Sequence, residues 1–250
     1  RPDRKVLEWA VSIGSELLSG HTGNTHAQTL GAALLPLGLR LERDTTIPDG
    51  PAVIAETVGD ALARVPLVFV SGGLGPTADD VTCEALASLL RRDVLEDPDA
   101  LESMRRKYTQ RGREMNAVSP RQARVLRGAA AIENPRGMAP GQRIELEEGR
   151  VLFVLPGPSR EFAAMLDQSI IPFLSARSAA HSPRPVRVIH AAGLGESEIV
   201  ERLERENLPP PEILAAFYAG NGRVEILLSC GPGNEDLLEE TVRRFRALLP

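Results

Sequence analysis

Apolar and polar positions along the first two thirds of the chain fall into a repeating strand-then-helix rhythm. Val6 to Ile13 is an apolar run that predicts a strand, and it ends in Gly14-Ser-Glu-Leu-Leu-Ser-Gly20. From Asn24 onward, Ala27, Leu30, Ala33, Leu34 and Leu37 recur at helical spacing, with Gly38 as the stop signal. Leu39 to Ile47, interrupted by charges, predicts a half-exposed or edge strand, and Pro48-Asp49-Gly50-Pro51 turns the chain. Val53, Ile54, Thr57, Val58, Ala61 and Leu62 mark the next helix. Leu67 to Val70 then predicts a buried parallel strand, and Asp80 onward a helix with Val81, Ala85, Leu86, Leu89 and Leu90 on one side. Three such units in succession predict a parallel sheet covered by helices on both faces.

The second half continues with local start signals. Asp97-Pro98 reads as a helix N-cap followed by proline at the first helical position, and Ser119 with Gln122 three residues later reads as a capping box. Residues 132–142 carry too many prolines and glycines for regular structure. Arg143 to Leu146 and Val151 to Leu155 read as strands about Glu147-Glu-Gly149, followed by a helix marked by Phe162, Met165, Leu166 and Ile170. Ser175 to Pro185 lacks a helical stripe and reads as a linker, so the expected domains are residues 1–175 and 186–250 with 176–185 between them. The second has the order strand, helix, strand, strand, helix, a small α+β module with a hairpin about Gly220-Asn-Gly222.

Composition narrows the function classes. The 250 residues are 42% hydrophobic and 25% charged, which fits an ordinary globular protein. Lys+Arg 29 against Asp+Glu 34 gives a net charge of -5, which argues against wholesale nucleic-acid binding. Cys83 and Cys230 show no paired spacing for a disulfide framework or a zinc site. No apolar run reaches the roughly 18 to 20 residues of a membrane span, and no signal peptide opens the chain, so the expected setting is cytoplasmic. Between Arg105 and Arg127 eight basic residues stand against Glu114 alone. That excess suits recruitment of an anionic substrate, although a solvated helix face is the commoner reason for such a run.

The chemistry is expected around Ser71-Gly-Gly-Leu-Gly-Pro-Thr-Ala-Asp-Asp80, between the third strand and its helix. Gly72, Gly73 and Gly75 permit positive φ and close approach of a ligand to main-chain N–H groups, which suits a phosphate. Asp79 and Asp80 would repel a bare phosphate, so a divalent cation between the two is expected. The plain alternative is a tight turn whose aspartates cap a helix. Pro156-Gly157-Pro158-Ser159 follows another strand end, and open parallel sheets bind ligands at such ends. His21 and His26 are five apart, not the four that places two metal ligands on one helix face.

Taken together, Gly14-Ser-Glu-Leu-Leu-Ser-Gly20, Asn24-Thr25, the stretch from Ser71 to Thr82, Gln122-Ala123, Asn134-Pro-Arg-Gly137 with Ala139-Pro-Gly141, Leu155-Pro-Gly-Pro158 and Gly193-Leu-Gly-Glu-Ser197 resemble the CinA family. The resemblance implies a three-layer α/β/α sandwich of the MoaB/MogA molybdopterin-binding type, followed by a KH-like module. It implies metal-dependent hydrolysis of ADP-ribose to AMP and ribose 5-phosphate. The alternative is a pterin- or nucleotide-binding module, or an adenylyltransferase of the MogA branch. The residues so implied are Asp80, Asp49 and Glu16 for catalysis, and Asp80 with Asp79 for a Mg, Mn or Co ion. Ser15, Asn24, Ser71, Gly72, Gly73, Gly75, Thr77, Gly141, Gly157 and Ser159 are implied for the ligand, with Ser71, Ser15 and Thr77 donating to phosphate oxygens. A dimer or trimer is expected. Ser15 stands where the family usually has Thr, His26 where Asn is usual, and Ser119 where Asn is common. Residues 186–250 lack the Gly-X-X-Gly loop of RNA-binding KH domains, so no RNA partner is expected. The deamidase activity of longer CinA proteins is not expected from these motifs.

Overall fold

The computed structural model describes residues 7–177, 185–220 and 222–249. In chain order β1 (Leu7–Ile13) leads into a single turn, α1 (Ser15–Leu18), then α2 (His26–Leu34), β2 (Arg40–Ile47), α3 (Pro51–Arg64), β3 (Leu67–Ser71) and α4 (Thr82–Leu90). Next come β4 (Val94–Glu96), α5 (Pro98–Gln110), β5 (Arg124–Leu126), β6 (Ala130–Ile132), β7 (Gly141–Glu145) and β8 (Val151–Leu155). α6 (Ser159–Met165) passes through a π turn, Leu166–Ile170, into α7 (Ile171–Arg177). The remainder is β9 (Val186–Ala192), α8 (Glu196–Arg205), β10 (Ile213–Gly220), β11 (Arg223–Cys230) and α9 (Glu235–Leu248).

By its own contacts the chain divides into two compact units, Arg1–Leu34 with Leu39–Leu174, and Leu35–Gly38 with Ser175–Pro250. The first unit holds a six-stranded sheet in the order β2-β1-β3-β8-β7-β6. The first four strands are parallel, as three successive strand-helix units require, while β7 pairs antiparallel with β8 and β6 antiparallel with β7. The reversal follows from the connection: only a tight turn, Glu147–Gly149, separates β7 from β8, and so short a link joins antiparallel strands alone. Trp9, Val11, Ile13, Val68, Val70, Leu152 and Val154 alternate onto one face, where α3 and α4 cover them with Ile54, Val58, Ala61 and Leu86. On the other face Phe69 stacks on Phe153 at 5.1 Å and Phe173 meets Phe153 edge-on at 5.9 Å, beneath α2, α6 and α7. The result is the three-layer α/β/α sandwich.

Several local expectations change. α4 begins at Thr82, not Asp80, because Asp80 turns back onto its own loop. The capping box at Ser119 does not form: its hydroxyl donates to Asn116 Oδ1 (2.6 Å) and lies 3.0 Å from Tyr108 Oη, inside a 3-10 turn. The cap at Asp97 does form, with Ala100 N donating to Asp97 Oδ1 at 2.8 Å. Of the expected linker, residues 176 and 177 belong to α7, and 178–184, His181 among them, lie outside the described residues.

The second unit has the expected βαββα order, with its sheet arranged β10-β11-β9, all antiparallel. Ile189, Ala191, Val224, Ile226 and Leu228 form its core with Ile199 and Leu203 of α8 and Leu238, Val242 and Phe245 of α9. Among the described residues no helix is long and apolar enough to cross a membrane.

Glu8 is a cost inside the first sheet. It is fully buried on β1, and burial pushes its carboxyl from 4.5 up to about 8, the Arg40 main chain opposing. The folded protein therefore keeps a proton that the unfolded chain has already released. Stability is full below the unfolded value and declines as pH rises toward about 8, beyond which the loss levels off. Glu8→Gln is expected to remove that decline. Urea titrations near about pH 5 and about pH 9 measure it, and an equal pH dependence in both proteins would contradict the assignment.

Candidate functional site

The parallel register aligns four strand ends. Ile13 lies beside Ile47, Ser12 beside Ser71, and Ser71 beside Leu155, so the loops after β2, β1, β3 and β8 emerge along one edge of the sheet. The turn after β3 occupies its middle. Gly72 adopts φ +105°, and a β-carbon there would lie 2.1 Å from the Ile13 carbonyl oxygen. Gly73 adopts φ +66° with its β-carbon position 2.2 Å from Thr82 Oγ1. Only glycine fits either place. Thr82 closes the turn by donating Oγ1–H to Gly72 O (2.9 Å) and N–H to Gly73 O (3.3 Å), so this helical N–H is not available to a ligand.

Gly75 is required for a different reason from the one expected. Its φ is not left-handed; the Asp80 carboxylate fills the space of its side chain, 2.4 Å from the β-carbon position. Asp80 accepts from Gly75 N (2.7 Å) on Oδ1 and from Thr77 N (2.9 Å) and Thr77 Oγ1 (2.5 Å) on Oδ2. It thus clasps the glycine turn from within and does not cap the helix. Thr77 Oγ1 also faces Asp79 Oδ1 at 2.5 Å, and that hydrogen bond holds the Asp79 carboxyl below its ordinary value. The single Thr77 proton is shared between two carboxylates, so Thr77 is not the phosphate donor expected of it.

Asp49 and Ser15 form a second knot on the same edge. Ser15 N donates to Asp49 Oδ2 at 2.8 Å, and Asp49 N to Ser15 Oγ at 3.4 Å, tying the β1 and β2 loops together. Glu16 folds back over Gly14, where a β-carbon would stand 2.5 Å from its Oε1. These residues end β1 and β2 and Asp80 follows β3, with strands about 4.8 Å apart. The narrow cleft that Asp80 lines, with Gly73, Gly75, Arg121 and Gln122 among its walls, does not include Asp49 or Glu16. Its volume of about 10 Å³ holds no more than a water, so the rim is an open cradle and not a formed ligand cavity. Cys83 also lines it, but burial pushes its thiol up to about 11, which disfavours the thiolate.

The turn after β8 meets the glycine turn directly. Gly72 N donates to Leu155 O at 3.0 Å, and a β-carbon on Gly157 would lie 3.5 Å from Gly72 Cα. Ser159 Oγ lies 3.0 Å from Thr25 Oγ1, and Asn24 joins α2 to β2 through Nδ2 and Thr46 Oγ1 at 3.1 Å. Ser71 is buried and its hydroxyl faces His26 Nδ1 at 2.7 Å. Gly141, expected at the ligand, instead packs at the start of β7, its β-carbon position 2.4 Å from Met165 Cε.

The residues present do not make a metal site by themselves. Among the described residues no three His, Cys, Asp or Glu side chains converge. Asp79 and Asp80 fit only a hydrated divalent ion whose remaining ligands come from water and a bound phosphate.

Comparison with known proteins completes this picture. Residues 9–176 match the family described as "Probable molybdopterin binding domain". The chain belongs to this family. A CinA-like protein of Deinococcus deserti is 37% identical over 241 residues, covering 94% of this chain and 58% of that protein. A CinA-like protein of Nostoc sp. is 33% identical over 233 residues, covering 93% of this chain and 54% of its own length. The crystal structure of CinA from Thermoplasma acidophilum, described as a protein of unknown function, is 32% identical with a TM-score of 0.61, covering 67% of this chain and 98% of that one. The chain thus has CinA-like relatives and spans between half and three fifths of the two curated ones.

Within this family member, four contributors escaped sequence reasoning as site residues: Thr25, His26, Arg121 and Gln122. Arg121 carried a signal, as one of the basic residues between 105 and 127. The structure seats it, half-buried, on the cleft wall beside Gly73 and Gly75. Arg124 on the same wall is paired with Glu84 at 2.8 Å.

The hold of Asp80 on the turn changes what its amide variant should do. In Asp80→Asn one acceptor oxygen becomes an N–H donor facing another donor, so the turn loses at least one hydrogen bond. A stability loss of about 1–3 kcal/mol is expected, together with faster amide exchange at Gly75 and Thr77. A thermal melt unchanged from the parent protein would show that the carboxylate is not holding the turn.

Proposed function

We propose that the first unit binds the phosphoryl part of a pterin or nucleotide along the strand-end cradle, with Arg121 as the counter-charge. One observation carries this reading. Arg121 lines the cleft beside the glycine turn, and among the described residues no carboxylate stands within ion-pair distance of it. A guanidinium on a cleft wall without an ion-pair partner is suited to a phosphate, which it engages with two parallel N–H donors. The family description is consistent with a pterin phosphate as that group. Calorimetric titration with ADP-ribose, AMP and a pterin phosphate tests it; saturable binding of any one supports the reading, and no heat with all three would end it.

Pyrophosphate hydrolysis is the second reading, favoured by the adjacency of the exposed Asp79 and the half-buried Asp80 at the turn. Those two carboxylates would hold a divalent ion jointly with ligand phosphates, and such an ion supplies charge neutralisation and an acidified water. Asp49 and Glu16, on the β1 and β2 loops, would orient or deprotonate water reaching the cradle. Mass analysis of ADP-ribose incubated with Mg, Mn or Co separates the readings: AMP and ribose 5-phosphate mean hydrolysis, and unchanged ADP-ribose with measurable affinity means a binding module. A dimer or trimer belongs to this proposal, and light scattering of the eluted protein tests it.

A further inference from the structure

We propose that His26 is a positioning residue of the cradle: from the first turn of α2 its ring braces the end of β3 against the β8–α6 turn through a hydrogen bond with Ser71. This rests on the binding reading above for its consequence, but its geometry stands independently. The ring is buried, with Nδ1 2.7 Å from Ser71 Oγ and its plane stacked on Phe162 of α6 at 4.3 Å between centroids and 13° between planes. Its own main-chain N–H donates to Asn24 Oδ1 (3.1 Å), and the neighbouring Thr25 hydroxyl reaches Ser159 at 3.0 Å. One side chain and its immediate neighbours therefore touch β3, α6 and the turn between β8 and α6.

The hydrogen-bond directions follow from the ring's state. Burial lowers its basicity and so favours the neutral ring, with the Gly157 main chain opposing. In the neutral ring carrying its N–H on Nε2, Nδ1 accepts from Ser71 Oγ–H across the 2.7 Å contact. In that tautomer the Ser71 proton is engaged by the ring and not offered to a phosphate oxygen. The donors then left to an anion in the cradle are main-chain N–H groups and Arg121. Beneath it, Ser12 lies in register with Ser71 on the same sheet face, and its buried hydroxyl has no partner among the described residues.

Three variants separate the hydrogen bond from the packing. His26→Phe keeps an aromatic ring on Phe162 without a nitrogen; His26→Asn keeps a polar group at the Nδ1 position without the full ring; His26→Ala removes both. Amide exchange is read at Gly72, whose N–H ties β3 to β8, and at Gly157 and Ser159; ADP-ribose affinity is read beside it. About tenfold faster exchange and about tenfold weaker ADP-ribose binding are expected in His26→Ala and His26→Phe. His26→Asn is expected to recover most of both. Exchange in His26→Phe equal to the parent protein would reduce His26 to a core residue and overturn the proposal. If the parent protein binds none of ADP-ribose, AMP and a pterin phosphate, the binding reading fails on its own, and the exchange comparison still decides the role of His26.

Discussion

Gly72→Ala is expected to cost about 3 kcal/mol or more of stability, the largest effect of any alanine substitution on the rim. Two independent penalties combine. A φ of +105° lies where an L side chain is strained, and the new β-carbon would sit 2.1 Å from the Ile13 carbonyl oxygen. That oxygen belongs to β1, at the centre of the parallel sheet, so neither side of the clash can yield without moving the strand ends. Gly20 supplies the control: its φ is +78°, yet no atom lies within 4 Å of its β-carbon position. Gly20→Ala should therefore cost only about 1 kcal/mol, from backbone strain alone. Urea denaturation with a common slope measures the pair, and equal midpoints for the two variants would show that the close approach of the β1 and β3 loops is not as described.

Arg121→Ala is expected to weaken binding of a phosphate-bearing ligand by about tenfold to a hundredfold, equivalent to about 1.5–3 kcal/mol for a charge-assisted hydrogen bond. Stability should change little, because the tie from Arg124 Nε goes to the Arg121 main-chain carbonyl and survives truncation. Arg124→Ala makes the comparison informative. Its guanidinium is committed to Glu84, so its loss should affect ligand affinity less while leaving Glu84 without its partner. The salt dependence of affinity should flatten in the Arg121 variant and not in the Arg124 variant. Calorimetry at two ionic strengths reads both quantities, and a loss in the Arg124 variant as large as that in the Arg121 variant would remove Arg121 from its assigned role.

What was legible in the chain was what periodicity and turn chemistry can carry. Apolar runs separated by helical stripes specify the order of β1, α2, β2, α3, β3 and α4, and Asp97-Pro98 marks a helix start that the structure shows in full. Three-residue strands such as β4 and β5 have no period to read; they exist because Val94 to Glu96 and Arg124 to Leu126 find each other after folding. Ser119 and Asp80 illustrate a different loss. Both were placed as helix starts from local spacing, but Asn116 captures the first and the glycine turn captures the second. The glycine turn itself was found for its flexibility. Its tightest constraint, contact with the carbonyl of a strand nearly sixty residues earlier, is long-range and invisible to any window. His26 stood out as a departure from the family pattern, but its contacts did not, because Ser71 and Phe162 are remote in sequence.

Amide hydrogen exchange of the protein with and without saturating ADP-ribose tests the cradle most directly. Slower exchange is expected at the free main-chain N–H groups between Gly73 and Ala78 and around Gly157 to Ser159, with the basic wall near Arg121 protected alongside them. Protection confined to residues 186–250, or bound ligand with no change at either turn, would contradict the placement of the phosphoryl group on the strand-end rim.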